Sequence, residues 1–235
     1  MRILLFAALV ACLCGTASAQ FPDLKGLLKG APSAGVSDGN AAAGLKEALQ
    51  VSAGNAVDLT GREGGYFRNE LIRIAMPENL ALVDKGLRLV GYGPQVDAFV
   101  LSMNRAAEKA APAARDIFVG AIRQMTFDDA RRILGGNDNA ATEYFRAKTS
   151  DGLKSSFRPI VERSMADSGV TRQYDDLVSR YRSVPFASSV SFDLDDYVVR
   201  KAMDGLFLVI GQEEKRIRTD PAARVTDLLK GTFGR

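Results

Sequence analysis

The stretch Met203-Asp204-Gly205-Leu206-Phe207-Leu208-Val209-Ile210 is apolar on nearly every side when drawn as a helix. It lies inside the segment 194–218, which follows Asp193, and aspartate is a residue type that caps helix starts. A helix that is apolar all round is surrounded by other elements. The stretch therefore predicts a long C-terminal helix at the centre of a bundle, and the longest helix of the chain.

From Gly44 onward, apolar residues recur at helical spacing with Gly or Pro between the runs, and no run alternates as a strand does. This pattern predicts an all-α fold, a compact multi-helix bundle around the buried C-terminal helix. In chain order, the first expected helices are 45–60, one from Pro77 to Gly91, one after Pro94, one that Pro112 opens, and 126–134. The next is capped by Asp138 or Asn139 and is kinked or restarted at Pro159. After it come 171–181, 194–218 and a last helix that Asp220-Pro221 opens.

Two helix starts have a recognisable cap. Thr126 is followed three residues later by Asp129, which is the spacing of a capping box with Asp in the usual Glu position. Asp193 precedes the C-terminal helix, and the residues 183–193 before it are expected to form a long loop.

The N-terminus has the order of a secretory signal peptide. Met1-Arg2 is followed by an apolar run over residues 3–13 and then by Ala17-Ser18-Ala19, which favours cleavage before Gln20. An alternative is a lipobox at 9–12, after which Cys12 would become a lipid-bearing first residue. Either leader predicts export across the inner membrane, to the periplasm or to a membrane-anchored position.

The domain organisation expected from these patterns has three parts. Residues 1–19 are predicted as the signal peptide, 20–43 as a flexible lead-in rich in Gly, Ala, Ser and Pro, and 44–235 as one all-helical domain. The 235-residue length fits one globular domain or two small ones. No apolar run after the leader approaches the roughly 20 residues that span a bilayer, so no transmembrane segment is expected there.

Several functional classes are excluded by composition. The chain has no histidine, so imidazole bases and His-ligated metals are absent, and cleavage before Gln20 would also remove both cysteines. The 31 basic and 28 acidic side chains are nearly balanced and scattered, which argues against nucleic acid. Asn137-Asp138-Asn139 and the aspartates at 193, 195 and 196 do not follow a calcium loop, so they are interpreted as helix caps, and no metal or cofactor is predicted.

The residues leave open chemistry run by carboxylates, Lys, Tyr, Ser or Thr, or no chemistry at all, and the catalytic hypothesis considered is a carboxylate mechanism. Its candidates are Asp196, Tyr197, Asp204 and Glu213 on the C-terminal helix. Asp204 lies inside the apolar stretch, where an unpaired carboxylate is costly. The favoured alternative is an ion pair between Asp204 and an arginine, with candidates at 105, 123, 131 and 146.

Seven sequence blocks follow one another along the chain. They are Gly44-Leu45-Lys46-Glu47-Ala48-Leu49, Ser102-Met103-Asn104-Arg105-Ala106-Ala107-Glu108, Ala121-Ile122-Arg123-Gln124-Met125-Thr126, Ala140-Ala141-Thr142-Glu143-Tyr144-Phe145, Leu194-Asp195-Asp196-Tyr197-Val198, Asp204-Gly205-Leu206-Phe207 and Asp220-Pro221-Ala222-Ala223-Arg224. This ordered series resembles an uncharacterised bacterial envelope family, domain of unknown function 4197. The resemblance implies a secreted single-domain bacterial protein with a signal peptide or lipobox, and it carries no activity, ligand or catalytic residue.

Three functional hypotheses follow. The first is non-catalytic binding of an envelope protein, the second is binding of a lipid or other apolar ligand between the helices, and the third is a carboxylate-based hydrolase or transferase. No catalytic residue is assigned. The binding candidates are the polar residues of the family-like blocks and their neighbours, namely Asn104, Arg105, Glu108, Arg123, Asp129, Asn137, Asp138, Thr142, Arg146, Asp196, Tyr197, Asp204 and Glu213, with Cys12 as the alternative lipidation site.

Overall fold

The computed structural model describes residues 38–169, 171, 172, 176, 179 and 193–220. Several predictions lie outside these residues: the signal peptide with Cys12, the lead-in up to residue 37, most of the helix at 171–181, the loop at 183–192 and the helix after Asp220. They stay predictions.

The described residues contain α-helices and short 3-10 helices and no strand, which confirms the all-α prediction. The elements in chain order are α1 (Asp38–Gly61), a 3-10 helix (Glu78–Leu80), α2 (Ala81–Leu89), α3 (Gly93–Ala110), a 3-10 helix (Ala111–Ala113), α4 (Ala114–Gln124), α5 (Phe127–Leu134), α6 (Ala140–Asp167) and α7 (Leu194–Thr219). None of these helices is both long and apolar enough to cross a membrane.

The central position of the C-terminal helix is confirmed. Helix α7 packs against α6, α1 and α3, and Val199, Leu206 and Ile210 on its inner side are buried. Its outer side departs from the prediction, because Leu208 is exposed and the Asp204 side chain is 60% exposed. The prediction that α7 is the longest helix is wrong, since it has 26 residues and α6 has 28.

The interior of the bundle is filled by aromatic and aliphatic side chains. The Phe118 ring of α4 lies edge-on to Phe145 of α6, with centroids 5.0 Å apart, and to Phe207 of α7 at 6.3 Å. All three rings are buried. Edge-to-face rings of this kind add to the free energy gained by burial, so this cluster ties α4, α6 and α7 together.

Two of the predicted helix caps are confirmed. The Thr126 hydroxyl accepts from the Asp129 amide and the Asp129 carboxylate accepts from the Thr126 amide, each at 3.1 Å, so the capping box of α5 is complete. At the start of α7, the Asp193 carboxylate accepts from the Asp196 amide at 2.8 Å.

Other helix boundaries differ from the prediction. Helix α1 begins at Asp38 rather than at residue 45, because the alanines at 41–43 have the highest helix propensity and extend the helix. Helix α6 runs through Pro159 without a restart. Pro159 is exposed, so its ring and its missing N–H are tolerated on the solvent side of the helix.

The start of α6 is capped from another helix. Asn139 occupies the N-cap position but makes no side-chain cap hydrogen bond, and Asp138 is exposed, so the predicted cap is wrong. Instead the Glu214 carboxylate of α7 accepts from the Ala141 amide at 3.0 Å and from the Thr142 amide at 2.9 Å. The negative charge of a carboxylate at a helix N-terminus also interacts favourably with the helix dipole.

Candidate functional site

The segment Arg62 to Met76, between α1 and the first 3-10 helix, has no helix or strand and is held in place by buried side chains of other helices. We name it the clamped segment. The Glu108 carboxylate of α3 accepts from the Tyr66 and Phe67 amides, both at 3.1 Å. Asn104 of α3 accepts from the Ile74 amide and donates to the Ile74 carbonyl, both at 2.8 Å. Such pairing satisfies backbone groups that no regular element serves.

Helix α7 holds the same segment from the other side. The buried Tyr66 hydroxyl donates to the Ala202 carbonyl at 2.6 Å, and burial raises the pKa of the Tyr66 hydroxyl far above its usual range. The Tyr197 hydroxyl donates to the Ala75 carbonyl at 3.0 Å, and burial also raises its pKa. Both tyrosines are therefore neutral hydrogen-bond donors at ordinary pH.

Glycines allow the clamped segment to lie close to its supports. Gly64 has a φ of 79°, a conformation that side chains with a Cβ rarely adopt. A Cβ at Gly65 would lie 2.5 Å from the Leu59 and Thr60 carbonyl oxygens at the end of α1. At Gly205 of α7 it would lie 2.7 Å from the Tyr66 ring. Larger residues at these positions would push the segment outward.

Two adjoining grooves lie beside the clamped segment, and Leu71 and Gln212 line both of them. We name the two grooves together the leucine groove. The first, of about 710 Å³, lies between the end of α1, the clamped segment and α7. The second, of about 720 Å³, lies between α6, α7 and Leu71. Exposed leucines from three elements line the combined groove: Leu59, Leu71 and Leu208.

Charged side chains surround these leucines. Arg62 and Arg68 line the first groove and Lys215 the second, and none of the three forms an ion pair within residues 38–169 and 193–220. Arg146 is paired with Asp204 at 3.4 Å, and its guanidinium lies 4.5 Å from the Phe207 ring centroid. The groove thus has an apolar middle and a charged rim.

The structure divides the predicted binding residues among several places. Four of them, Asn104, Arg105, Glu108 and Tyr197, belong to the support of the clamped segment, where Arg105 bonds Glu108 at 2.6 Å and Glu63 at 2.7 Å. Another three, Thr142, Arg146 and Asp204, line the leucine groove. Glu213 is buried close by, where it accepts from Asn55 at 2.9 Å and from Arg216 at 2.6 Å.

The remaining candidates lie elsewhere. Asp129 and Asn137 line a separate groove at the α5–α6 turn, beside the exposed Asp138. Asp196 pairs with Lys154 at 2.9 Å and Arg200 at 3.1 Å. Arg123 is exposed in the last turn of α4. Asp129 thus serves a helix cap and Asp196 serves ion pairs.

The four candidates for a carboxylate mechanism do not share a groove. Asp196 and Asp204 are separated by roughly 12 Å along the axis of α7. Asp204 is exposed and paired with Arg146, so the expectation that it is a costly buried carboxylate is wrong, and the expected arginine pair is found. Glu213 and Tyr197 are both engaged with other groups. The described residues also contain no cluster of three His, Cys, Asp or Glu side chains that could hold a metal.

Sequence reasoning missed Tyr66, Leu71, Gln212 and the cap formed by Glu214. The adjacent Gly64-Gly65 before Tyr66 was a usable signal, because paired glycines outside a helix mark close backbone approach. Leu71 and Gln212 have no local signal, since their importance comes from the meeting of elements far apart in the chain.

Comparison with known proteins gives one match. The family profile described as "Protein of unknown function (DUF4197)" matches residues 35–234. No curated protein and no solved structure matches the chain. Because the profile spans most of the 235 residues, the clamped segment and the leucine groove both lie within the matched region, and the chain belongs to the DUF4197 family.

Proposed function

We propose that this protein is a non-catalytic binding domain that holds an amphipathic helix of a protein partner in the leucine groove. The observation that carries the proposal is the rigidly held clamped segment, which has no regular structure yet presents Leu71 with 68% of its surface exposed. Irregular segments that are fixed by buried hydrogen bonds and expose apolar side chains are typical of binding surfaces.

The shape of the groove suits a helix. Asp204, Leu208, Gln212 and Lys215 recur at helical spacing, so they form one outer stripe of α7. The stripe is roughly 16 Å long, or about three turns of a partner helix. Helix α6 forms one wall and the clamped segment forms the other. An amphipathic helix laid into such a groove buries its apolar side chains against the leucines.

The charges indicate the chemistry of the partner. Three basic lining residues have no ion pair within the described residues, Arg62, Arg68 and Lys215, against two acidic ones, Glu70 and Glu143, so the unpaired charge of the rim is basic on balance. A partner helix with Asp or Glu beside its apolar stripe would pair with these bases, and complementary charge speeds association and selects the partner. We therefore propose an acidic amphipathic helix.

The other two hypotheses have less support. For a carboxylate enzyme, Asp196, Asp204 and Glu213 would have to meet in one pocket, and each has its own ion pair instead. For an apolar ligand, the bundle would need internal space. The aromatic rings of Phe118, Phe145 and Phe207 fill the junction of α4, α6 and α7. Binding at the surface is better supported than either.

The cellular setting is part of the proposal. The predicted signal peptide at 1–19 supports a periplasmic protein, and the alternative lipobox at Cys12 supports a lipoprotein anchored to the membrane. In both cases the partner is an envelope protein.

Photo-crosslinking in the host tests the proposal. A benzoylphenylalanine at Gln212, which lines both halves of the groove, is expected to give one dominant adduct, and its attachment peptide should be an amphipathic helix with acidic flanks. The matched control is the same probe at Gln124, an exposed glutamine that lines neither half.

Two further variants decide whether the adduct reflects the groove. Leu71→Asp is expected to reduce the adduct from Gln212 about tenfold or more, because loss of a central apolar contact typically costs that much affinity. Arg68→Glu is expected to reduce it through like-charge repulsion. An adduct of equal yield from Gln124, or one that neither variant changes, would contradict the proposal.

A further inference from the structure

Arg146 of α6 is held in the leucine groove by an aromatic ring of α7. Its guanidinium lies over the Phe207 ring, 4.5 Å from the centroid. The ring itself is 1% exposed and lies edge-on to Phe118, with centroids 6.3 Å apart. A cation is attracted to the face of an aromatic ring, and the flat guanidinium stacks well on it. Phe207 therefore helps to position the Arg146 guanidinium independently of any acid.

The ion pair between Arg146 and Asp204 is the longest among the residues that the structure describes. The Arg146 Nη1 atom lies 3.4 Å from Asp204 Oδ1, whereas the other ion pairs between described residues measure 2.5–3.1 Å. The two side chains are 53% and 60% exposed. Exposed ion pairs contribute little to stability, so another carboxylate can replace Asp204 at small cost.

The Arg146 guanidinium has donors to spare. One of its nitrogens contacts Asp204, and no other hydrogen bond joins the guanidinium to residues 38–169 or 193–220. The planar fork of an arginine can hold a carboxylate through two parallel N–H···O bonds, and Asp204 uses one nitrogen only. A carboxylate placed opposite the fork would therefore bind more tightly than Asp204 does. Cover by a bound helix would also exclude water, which strengthens the attraction between the charges.

The charges of this half of the groove show that an incoming acid has to compete. The lining contains two bases, Arg146 and Lys215, and two acids, Asp204 and Glu143. Their charges balance while Asp204 faces Arg146. An incoming carboxylate therefore meets no excess of positive charge here, and it gains Arg146 only by displacing Asp204.

We propose that Arg146 receives a carboxylate of the partner helix, and that Asp204 occupies this place in the free protein as an internal competitor. This role rests on the proposed function, because it requires an acidic helix in the leucine groove. It adds the residue that recognises the acid and the residue that opposes binding. Arg146 is then a specificity-determining residue, and Asp204 weakens the binding of any helix whose acid does not reach the arginine fork.

The position of this pair relative to the leucines constrains the partner sequence. Asp204 and Leu208 lie one turn apart on the outer stripe of α7, and Arg146 faces Asp204 from α6. A partner helix that places an apolar side chain on Leu208 brings its neighbouring turn over Arg146. The acid and the apolar side chain are therefore expected about three or four residues apart in the partner.

Three variants of the full-length protein with benzoylphenylalanine at Gln212 test this exchange, and the readout is the yield of the acidic-helix adduct under limiting irradiation. Arg146→Gln is expected to lower the yield about fivefold, through loss of the ion pair with the partner. Asp204→Asn is expected to raise it about twofold to threefold, because the competitor is removed. The double variant should match Arg146→Gln alone, since Asp204 acts through Arg146.

Two further variants separate this exchange from general effects of charge. Arg146→Lys keeps the charge but not the planar fork, so the adduct yield should recover only in part. Asp97→Asn is the matched control for Asp204→Asn, because Asp97 is 67% exposed, pairs with Arg88 at 2.8 Å and lines none of the grooves described above. It should leave the yield unchanged. Urea denaturation verifies that each variant is folded.

Three results would overturn this role of Arg146. The first is an adduct that Arg68→Glu reduces and Arg146→Gln leaves unchanged, since the groove would then bind its partner without Arg146. The second is a lower yield from Asp204→Asn, which would mean that Asp204 itself contacts the partner. The third is a gain from Asp204→Asn that persists in the double variant. By contrast, the absence of any adduct from Gln212 in the otherwise unchanged protein would contradict the proposed function itself.

Discussion

The carboxylates of Glu108, Glu213 and Glu214 are buried, and each accepts at least two hydrogen bonds. Within the described residues, every buried side-chain nitrogen or oxygen has a hydrogen-bond partner. A buried carboxylate whose hydrogen bonds are all formed fixes the positions of the groups that donate to it. Removal of the carboxylate leaves several of these donors unsatisfied. At the residue scale, Glu108 and Glu214 hold backbone in place, whereas Glu213 joins side chains of α1 and α7.

Glu108 gives the first prediction. Glu108→Ala leaves the Tyr66 and Phe67 amides and the Arg105 guanidinium without their shared acceptor, so the free energy of unfolding should fall by about 3–5 kcal/mol. Urea denaturation at neutral pH measures this. Glu63→Ala removes the exposed partner of the same arginine and should cost less than about 1 kcal/mol. Equal losses in the two variants would contradict the role given to Glu108.

Asp129 gives a prediction on acid stability. Hydrogen bonds from the Thr126 hydroxyl and amide, with Arg132 nearby, hold the pKa of the Asp129 carboxyl below its usual range. A lowered folded-state pKa contributes stability above the unfolded-state value of about 3.9, and this contribution is lost as the pH falls through the folded-state value.

The Asp129→Asn variant should therefore lose less stability than the wild-type protein between about pH 6 and pH 2.5. Urea denaturation at both pH values measures the difference. Asp138→Asn, at an exposed position nearby, serves as the control and should behave as the wild type does. An unchanged acid response in Asp129→Asn would show that its cap does not govern this pH range.

At the scale of the elements, helices meet through caps that cross from one helix to another. Glu214 of α7 caps α6, and Arg218 bonds both Glu214 at 2.9 Å and the Ile133 carbonyl at 3.0 Å. The turn between α5 and α6 is thus attached to α7 at both of its ends. This attachment positions α6 as one wall of the leucine groove.

Glu214→Ala should cost about 2–4 kcal/mol of unfolding free energy, because it removes a buried acceptor from the first turn of α6. Amide hydrogen exchange at Ala141 and Thr142 should accelerate more than at Leu153 in the same helix. Asn139→Ala should change stability by less than about 0.5 kcal/mol, since Asn139 makes no cap bond. Equal effects of the two variants would contradict a cap supplied by Glu214.

The sequence predicted the elements well where the relevant forces are local. Apolar spacing located α3, α4 and α7, and the Thr126 and Asp193 caps depend on residues three positions away. The cap on α6 could not be predicted, because its donor amide and its acceptor are 73 residues apart. Asp204 was misplaced because a run of apolar residues hides which side of a helix faces solvent.

At the scale of the whole molecule, the clamped segment depends on a close approach between distant helices. Gly205→Ala would place a methyl group 2.7 Å from the Tyr66 ring and 3.0 Å from Ile72, so one of the two must move. We expect a loss of about 1–3 kcal/mol in unfolding free energy. The crosslinked adduct from Gln212 should also decrease.

Gly120→Ala is the matched control for this substitution. Gly120 is likewise a glycine inside a helix, but nothing outside its own helix lies within 4 Å of the point that an alanine methyl group would occupy. The variant should be neutral or gain about 0.5–1 kcal/mol from the better helix propensity of alanine. If both variants behaved alike, the packing of Tyr66 against Gly205 would not hold the segment.

The candidate site was only partly predictable, because its contacts join residues that are far apart in the chain. Asn104 and Glu108 were identified by their family-like blocks, but what they bind became visible only in the structure. The exposed Leu71 follows from no periodicity. Its position results from hydrogen bonds between side chain and backbone that join α3 and α7 to a segment that has no helical pattern of its own.

The bond from Tyr66 to the Ala202 carbonyl joins residues 136 positions apart, and it has a consequence for biosynthesis. A chain emerging from a ribosome or a translocon carries residues 62–76 long before α7 exists to receive them. The proposed binding surface is therefore assembled last, once the C-terminal helix has entered the bundle. Truncated or half-finished copies would offer no competing surface, so the partner would encounter only completed molecules.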